Sequence, residues 1–313
     1  MEIPKFSVPK FLIVIAGPTC SGKSALALKL AMHYRCSIIS ADSRQIYKEL
    51  SIGTAKPSQP EKDLVPHYFV DHVSIHEAYS AGHFGSEVKL FLKTYFESND
   101  IIIMCGGTGL YIKSVLEELD DLPSGDPAYA EKLQKMHKDE GISYLQKLLL
   151  ETDPAYYQTV DLNNPHRIIR ALIASRSAGV PYSSLLQKKE KRNLPYQTIG
   201  ILIHPSRQDL YDQINSRVDK MLESGLENEA RALIPFKQLR ALQTVGYSEL
   251  FRYFEGEITQ SVAIDEIKKN TRRYAKRQIT WFRKHGDWQE FPFPDENLVL
   301  SFIQQKISET THK

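Results

Sequence analysis

Two hydrophobic periods divide this chain, and the change from one to the other marks its elements. The first third carries short, unbroken apolar runs. Phe11-Leu12-Ile13-Val14-Ile15 precedes a helix-like stretch over residues 25–34, and Ser37-Ile38-Ile39-Ser40 ends at Ala41-Asp42. Ser80 is placed to cap a helix to about residue 97, and Ile101-Ile102-Ile103-Met104 lies between Asn99-Asp100 and Gly106-Gly107. Runs of four or five apolar residues with no polar face predict strands buried on both sides. Strands alternating with helices predict a parallel sheet covered by helices. Ligands in such sheets gather beyond the carboxyl ends of the strands. Three segments belong there: the loop after the first run, Asp42, and Gly106-Gly107-Thr108.

From Pro123 the texture changes. Pro123-Ser124-Gly125-Asp126-Pro127 is a breaker cluster, followed by helical patterns over residues 128–140, 143–152 and 165–178 with no strand between them. This stretch ends in the charged run Gln187-Lys188-Lys189-Glu190-Lys191-Arg192, after which Thr198-Ile199-Gly200-Ile201-Leu202-Ile203 reads as a buried strand rejoining the sheet. The remainder, from Ser206, reads as helical. The expected organisation is a core in residues 1–122 and 197–313, interrupted by a helical insertion over 123–196. Near the end, Ile264, Ile267, Thr271, Tyr274, Gln278 and Trp281 recur at three- and four-residue steps, while Lys269, Arg273, Lys276, Arg277, Thr280 and Lys284 line another face. That is a helix packed by one stripe, with a basic stripe that either faces solvent or meets nucleic-acid phosphates.

Candidate chemistry sharpens the picture. Gly17-Pro18-Thr19-Cys20-Ser21-Gly22-Lys23-Ser24 fits the phosphate-binding loop in its required strand–loop–helix setting. Loop N–H groups and the positive end of the following helix make an anion cradle. Lys23 adds charge, and the Ser24 hydroxyl suits Mg²⁺. The fold class is therefore α/β, with a P-loop NTPase-like parallel sheet core. Asp42 reads either as a cap or as a carboxylate beside bound phosphate, acting as general base or water-mediated metal ligand. The strand ending at Cys105-Gly106-Gly107 lacks the magnesium-binding Asp common in phosphate-loop hydrolases, which weakens an ordinary ATPase or GTPase reading. Thr108 reads as a cap or a ligand contact. Arg207 and Arg217, flanking the helix after the 198–203 strand, are candidates to reach a diphosphate, and His166, Arg167 and Arg170 lie on a helix of the insertion.

Composition excludes some classes. The chain has 313 residues and a net charge of +2, so any nucleic-acid surface must come from local clustering. Its three cysteines, Cys20, Cys36 and Cys105, argue against a disulfide framework or a Cys-rich zinc site. No apolar run approaches the ~20 residues of a membrane span, and no secretory leader is expected, so a reducing cytoplasm is the expected compartment.

Several segments together resemble one family. The phosphate loop, Ala41-Asp42-Ser43-Arg44-Gln45-Ile46-Tyr47, Ile52-Gly53-Thr54-Ala55-Lys56-Pro57, Tyr79-Ser80-Ala81, Gly106-Gly107-Thr108-Gly109-Leu110-Tyr111, Gln243-Thr244-Val245-Gly246-Tyr247 and Lys276-Arg277-Gln278-Ile279-Thr280-Trp281-Phe282 occur in this order. Together they closely resemble the bacterial tRNA dimethylallyltransferases, or tRNA isopentenyltransferases. The resemblance implies transfer of a dimethylallyl group from dimethylallyl diphosphate to the exocyclic amine of the adenosine 3′ of the anticodon, with release of diphosphate. It implies Asp42 as base, Thr108 positioning the adenosine, and Arg217 clamping the diphosphate held by residues 17–24. Mg²⁺ at Ser24 is the implied cofactor. Ser43, Arg44 and Gln45 would face the flipped nucleotide, and His166, Arg167, Ile168, Ile169 and Arg170 would meet the tRNA. The resemblance implies a monomer that binds tRNA and no membrane. Ala130 stands where some relatives carry a basic residue, Cys20 and Ser24 replace the frequent Ala and Thr, and no Cys-x-x-Cys follows, so no zinc is expected. The competing reading is a P-loop nucleoside or small-molecule kinase that binds ATP, with the insertion as its lid; a third is a non-catalytic RNA-binding scaffold.

Overall fold

The computed structural model describes residues 8–117, 122, 123, 125–186 and 194–311. The charged run 187–192 lies outside them. Two compact units emerge, one formed by Met1–Glu117 with Asn193–Lys313, the other by Glu118–Arg192.

The larger unit is built on a six-stranded parallel sheet. In chain order its strands are β1 (Phe11–Ala16), β2 (Ile38–Ser40), β3 (His67–Tyr68), β4 (Ile101–Gly106), β5 (Gln197–Ile203) and β6 (Gln289–Phe291), arranged β3-β2-β4-β1-β5-β6. β1 lies between β4 and β5, with Phe11 opposite both Ile101 and Gln197. All six residues of β1 are buried. They alternate between two apolar layers: Leu12, Val14 and Ala16 on one side, Phe11, Ile13 and Ile15 on the other. This two-sided burial is why the run has no polar face.

The helices cover both layers. α1 (Lys23–Tyr34) is here numbered first, followed by α2 (Gln59–Leu64), α3 (Ala81–Ser98) and α4 (Gly109–Leu116). Ser80 caps α3 by accepting the His83 N–H at 3.1 Å, as its sequence position predicts. The insertion contains α5 (Pro127–Glu140), α6 (Ile142–Thr152), α7 (Pro154–Tyr157), α8 (Pro165–Ala178) and α9 (Tyr182–Leu185). After β5 come α10 (Arg207–Glu223), α11 (Leu226–Leu233), α12 (Tyr247–Phe254), α13 (Gln260–Lys284) and, beyond β6, α14 (Glu296–Thr311). Val299 and Ile303 of α14 pack with α1 residues Leu26 and Leu30 on one layer, while α3, α4, α11, α12 and α13 contribute to the other.

Three expectations are corrected. The region after Ser206 is not wholly helical, because β6 pairs with β5. β3 also has no counterpart among the apolar runs. Both are short strands at sheet edges, held by pairing on one side, and need no continuous apolar sequence. The return to the core begins before residue 197: Leu194 and Tyr196 pack on its apolar layer, with Tyr196 5.4 Å from the Phe96 ring.

The insertion has a core of its own, made by Leu133, Leu145, Leu149, Ile168, Ile169, Ala171, Leu172, Ala174 and Tyr182. Asp153 ties its short elements together. Its carboxylate accepts the Tyr156 N–H at 3.0 Å, capping α7, and the Ser183 N–H and hydroxyl at 2.6 and 2.8 Å. Burial opposes the charge, but these hydrogen bonds win, and the carboxyl is held below its ordinary pKa of 3.8.

Candidate active site

The loop between β1 and α1 turns sharply, with Cys20 at φ 63° and Gly22 at φ 81°. A Cβ at Gly22 would lie 2.7 Å from Pro294, so only glycine fits there. The first N–H groups of α1 have no partner within the helix and face the cradle. Lys23 curls back, donating from Nζ to the Pro18 carbonyl at 3.0 Å. Burial lowers its pKa; the Arg217 guanidinium adds to that, while Cys105 and Asp42 oppose it. Ser24 is exposed at the mouth.

Of the two arginine candidates, α10 presents Arg217 to the loop. Its Nη1 donates to the Thr19 hydroxyl at 3.1 Å and lies 3.7 Å from Cys20 Sγ. Arg207, ten residues earlier, folds back on Tyr211 at 3.2 Å and does not serve the loop. A cleft of about 690 Å³ opens beside the loop, lined by Lys23, Ser24, Lys56, Arg217 and Lys220 among others. Lys56 is already engaged inside the protein, donating to the Tyr47 carbonyl and to Asp71, each at 2.5 Å.

Asp42 and Thr108 occupy the loops after β2 and β4, and backbone contacts stitch those loops together. Thr108 N–H donates to the Ala41 carbonyl at 3.2 Å, and the Ser43 N–H donates to Thr108 Oγ1 at 3.0 Å. A Cβ on Gly106 would sit 2.1 Å from the Ala41 carbonyl oxygen, which explains that glycine. Thr108 stands at the start of α4 without capping it by side chain. Asp42 Oδ1 accepts the N–H groups of Arg44 at 2.8 Å and Gln45 at 3.3 Å. One oxygen thus builds the turn. Tyr274, on α13, faces Asp42 and Thr108, and burial pushes its phenol up to about 12.

Several residues expected at the RNA have partners inside the protein. Gln45 spends its amide inside the protein: Oε1 accepts from Ser40 Oγ at 2.9 Å, and Nε2 donates to the carbonyls of Thr54 and Ala55 at 3.2 and 2.9 Å. It shapes the 51–56 loop. Arg44 donates to the carbonyls of Arg240 and Ala241 at 3.4 and 3.3 Å. In the insertion, His166, Arg167 and Arg170 are exposed on α8, but Ile168 and Ile169 are 0% and 9% exposed in its apolar core. They hold the helix by packing in the core of the insertion. On α13, Lys269, Arg273, Lys276, Arg277, Thr280 and Lys284 all turn outward, while Ala263, Ile267, Ala275, Gln278 and Phe282 are buried.

Two residues whose polar roles the sequence did not show organise the site. Glu229 of α11 accepts the N–H groups of Ser51, Ile52 and Gly53 at 3.1, 2.8 and 3.0 Å, and the Tyr247 hydroxyl at 2.6 Å. The Tyr247 ring fills the space a Cβ at Gly53 would need, 2.6 Å away. Gln278 belonged to the expected buried stripe, but its polar role was not legible. It accepts the Thr19 N–H at 2.9 Å and donates to the Gly107 carbonyl at 2.8 Å.

Among the described residues, no group of three His, Cys, Asp or Glu side chains is placed to hold a metal, and no helix is long and apolar enough to cross a membrane. Comparison with known proteins agrees with this architecture. Residues 45–285 match the family described as IPP transferase. The tRNA dimethylallyltransferase of Christiangramia forsetii is 49% identical, covering 95% of this chain and 99% of the relative; that of Cytophaga hutchinsonii is 44% identical, covering 96% and 99%. The crystal structure of the full-length tRNA isopentenylpyrophosphate transferase from Bacillus halodurans superposes with a TM-score of 0.70 at 32% identity, covering 96% of this chain and 97% of that one. A eukaryotic dimethylallyltransferase described as acting on tRNA gives 0.72 at 26% identity, covering 87% and 69%. By sequence and by fold, the chain belongs to the IPP transferase family.

Proposed function

We propose that this protein transfers a dimethylallyl group from dimethylallyl diphosphate to the exocyclic amine of the adenosine 3′ of the anticodon in tRNA. The observation that carries this reading is the pairing of an anion cradle with a carboxylate. Lys23 and Arg217 face the phosphate loop, while Asp42 and Thr108 sit on neighbouring loops at the carboxyl ends of the sheet.

The chemistry follows from this placement. The adenine amine is a poor nucleophile because its lone pair is shared with the ring. As it attacks the allylic carbon, a C–N bond forms and the C–O bond to diphosphate breaks. Positive charge develops on the allyl group and negative charge on the leaving oxygen. Loop N–H groups, Lys23 and Arg217 are placed to stabilise that oxygen. The Oδ2 atom of Asp42 takes the amine proton, and Thr108 orients the base. The target must leave its stack to reach this position. Single-stranded loop recognition suits an RNA substrate, with His166, Arg167 and Arg170 and the basic face of α13 meeting phosphates. A tRNA substrate also supports a cytoplasmic compartment.

Magnesium fits through the donor. Ser24, exposed beside the phosphate loop, would offer its hydroxyl to a Mg²⁺ ion bound with the diphosphate. When bound, it would neutralise charge on the departing diphosphate.

The test incubates purified protein with dimethylallyl diphosphate, Mg²⁺ and unmodified tRNA. Prenylated adenosine and free diphosphate are the expected products, found by mass spectrometry of digested RNA. ATP-dependent phosphorylation with unmodified RNA would instead establish a kinase.

A further inference from the structure

The donor cradle and the acceptor loops belong to different βα connections, whose strands run paired only as far as Ala16 and Gly106. One buried side chain joins them. Gln278 is 7% exposed, and its primary amide points an acceptor one way and a donor the other. Oε1 takes the N–H of Thr19 in the phosphate loop, and Nε2 gives to the carbonyl of Gly107, next to Thr108. These partners lie 259 and 171 residues away along the chain. A Cβ at Gly107 would come within 2.3 Å of Gln278 Nε2, so the glycine lets the amide approach. The Thr19 hydroxyl accepts from Arg217, so the N–H and the hydroxyl of this loop residue are both engaged. The same helix clamps the acceptor side at two further points: Tyr274 beside Thr108, and Trp281 2.2 Å from where a Cβ on Gly109 would be.

We propose that Gln278 is a positioning residue that sets the spacing between the leaving diphosphate and the nucleophilic base. This rests on the prenyl-transfer reading above. A carbon centre and an amine must approach within about 3–3.5 Å, and a 1 Å misplacement costs on the order of 100-fold in rate. Each loop binds its own substrate, so loss of the bridge separates the two substrates' alignment from their affinity.

The test uses the full chain with Gln278→Met, which keeps size and removes both hydrogen bonds, and Gln278→Glu, which keeps one acceptor. Donor affinity, affinity for an unmodified anticodon stem-loop, and single-turnover rate with both saturating are measured beside wild type. Gln278→Met is expected to keep both affinities within about threefold while its rate falls by about 100-fold. In Gln278→Glu an ionised carboxylate opposes the Gly107 carbonyl, and protonation restores a donor. Its rate relative to wild type is therefore expected to rise as pH falls, while that of Gln278→Met stays flat. A rate for Gln278→Met within threefold of wild type overturns the proposal, as does a pH-independent ratio for Gln278→Glu. Hydrogen exchange in the wild-type protein guards against misfolded variants. The Thr19 amide is expected to be protected well beyond that of Cys20, and equal exchange at both overturns the bridge. If wild type makes no prenylated RNA, the functional reading fails, and the exchange measurement still reads the bridge independently.

Discussion

At the scale of single residues, the proposed reaction divides one carboxylate between two tasks. Asp42 Oδ1 is committed to the turn through Arg44 and Gln45, leaving Oδ2 for a proton. Alanine would remove both functions. Asp42→Asn keeps an acceptor for the turn and removes the base, so it isolates the chemistry. Single-turnover prenyl transfer by this variant is expected to fall by about 10²–10⁴-fold, the usual worth of a positioned general base. Its thermal midpoint and its affinity for the stem-loop should stay at wild-type values. A wild-type rate would remove Asp42 from the base role.

At the scale of elements, short polar ties decide where loops stand. The 51–56 loop has little apolar content to anchor it, and its first half is held by the Glu229 carboxylate through three backbone donors and Tyr247, its second half by Gln45. Glu229→Ala strands those donors and is expected to destabilise the core by about 2–4 kcal/mol in urea titration. Asp153 does the same within the insertion. Its pKa is depressed in the folded state, so its contribution is full above the ordinary value of 3.8 and is lost as pH falls through the lower folded value. The thermal midpoint of Asp153→Asn should lie below wild type at pH 6, and the gap should close as pH drops below about 4. A gap that holds or widens on acidification would contradict this sign.

At the scale of the whole molecule, charge is local and not global. A net charge of +2 gives no long-range pull on RNA, yet Lys276 and Arg277 stand side by side among the outward residues of α13. Lys268, about two turns earlier on the helix, is ion-paired with Asp219 at 2.6 Å and is not equivalent. If Lys276 and Arg277 meet phosphates of a single-stranded loop, replacing either by alanine should lower the slope of log affinity against log salt by about 0.7. Donor affinity should not change. An unaltered slope would mark that face as merely solvated.

What the amino-acid sequence determined alone was whatever depends on neighbours along the chain. Unbroken apolar runs marked β1, β4 and β5, since strands buried on both faces leave no polar position. The glycine-lysine spacing marked the cradle, because a tight loop before a helix needs those residue types in that order. Asp42 and Thr108 were legible from their places at strand ends. The tertiary structure alone decided everything that joins distant segments. Edge strands β3 and β6 exist by pairing, not by pattern. Arg217 and Arg207 looked alike until the pitch of α10 aimed one at the loop. Ile168 and Ile169 travelled with three exposed neighbours in sequence, but helical rotation put them in a core. Glu229 carries no local signal and Gln278 only a place on a buried stripe, because a carboxylate or amide declares its task only when its partners, 259 and 171 residues away for Gln278, arrive within hydrogen-bonding distance.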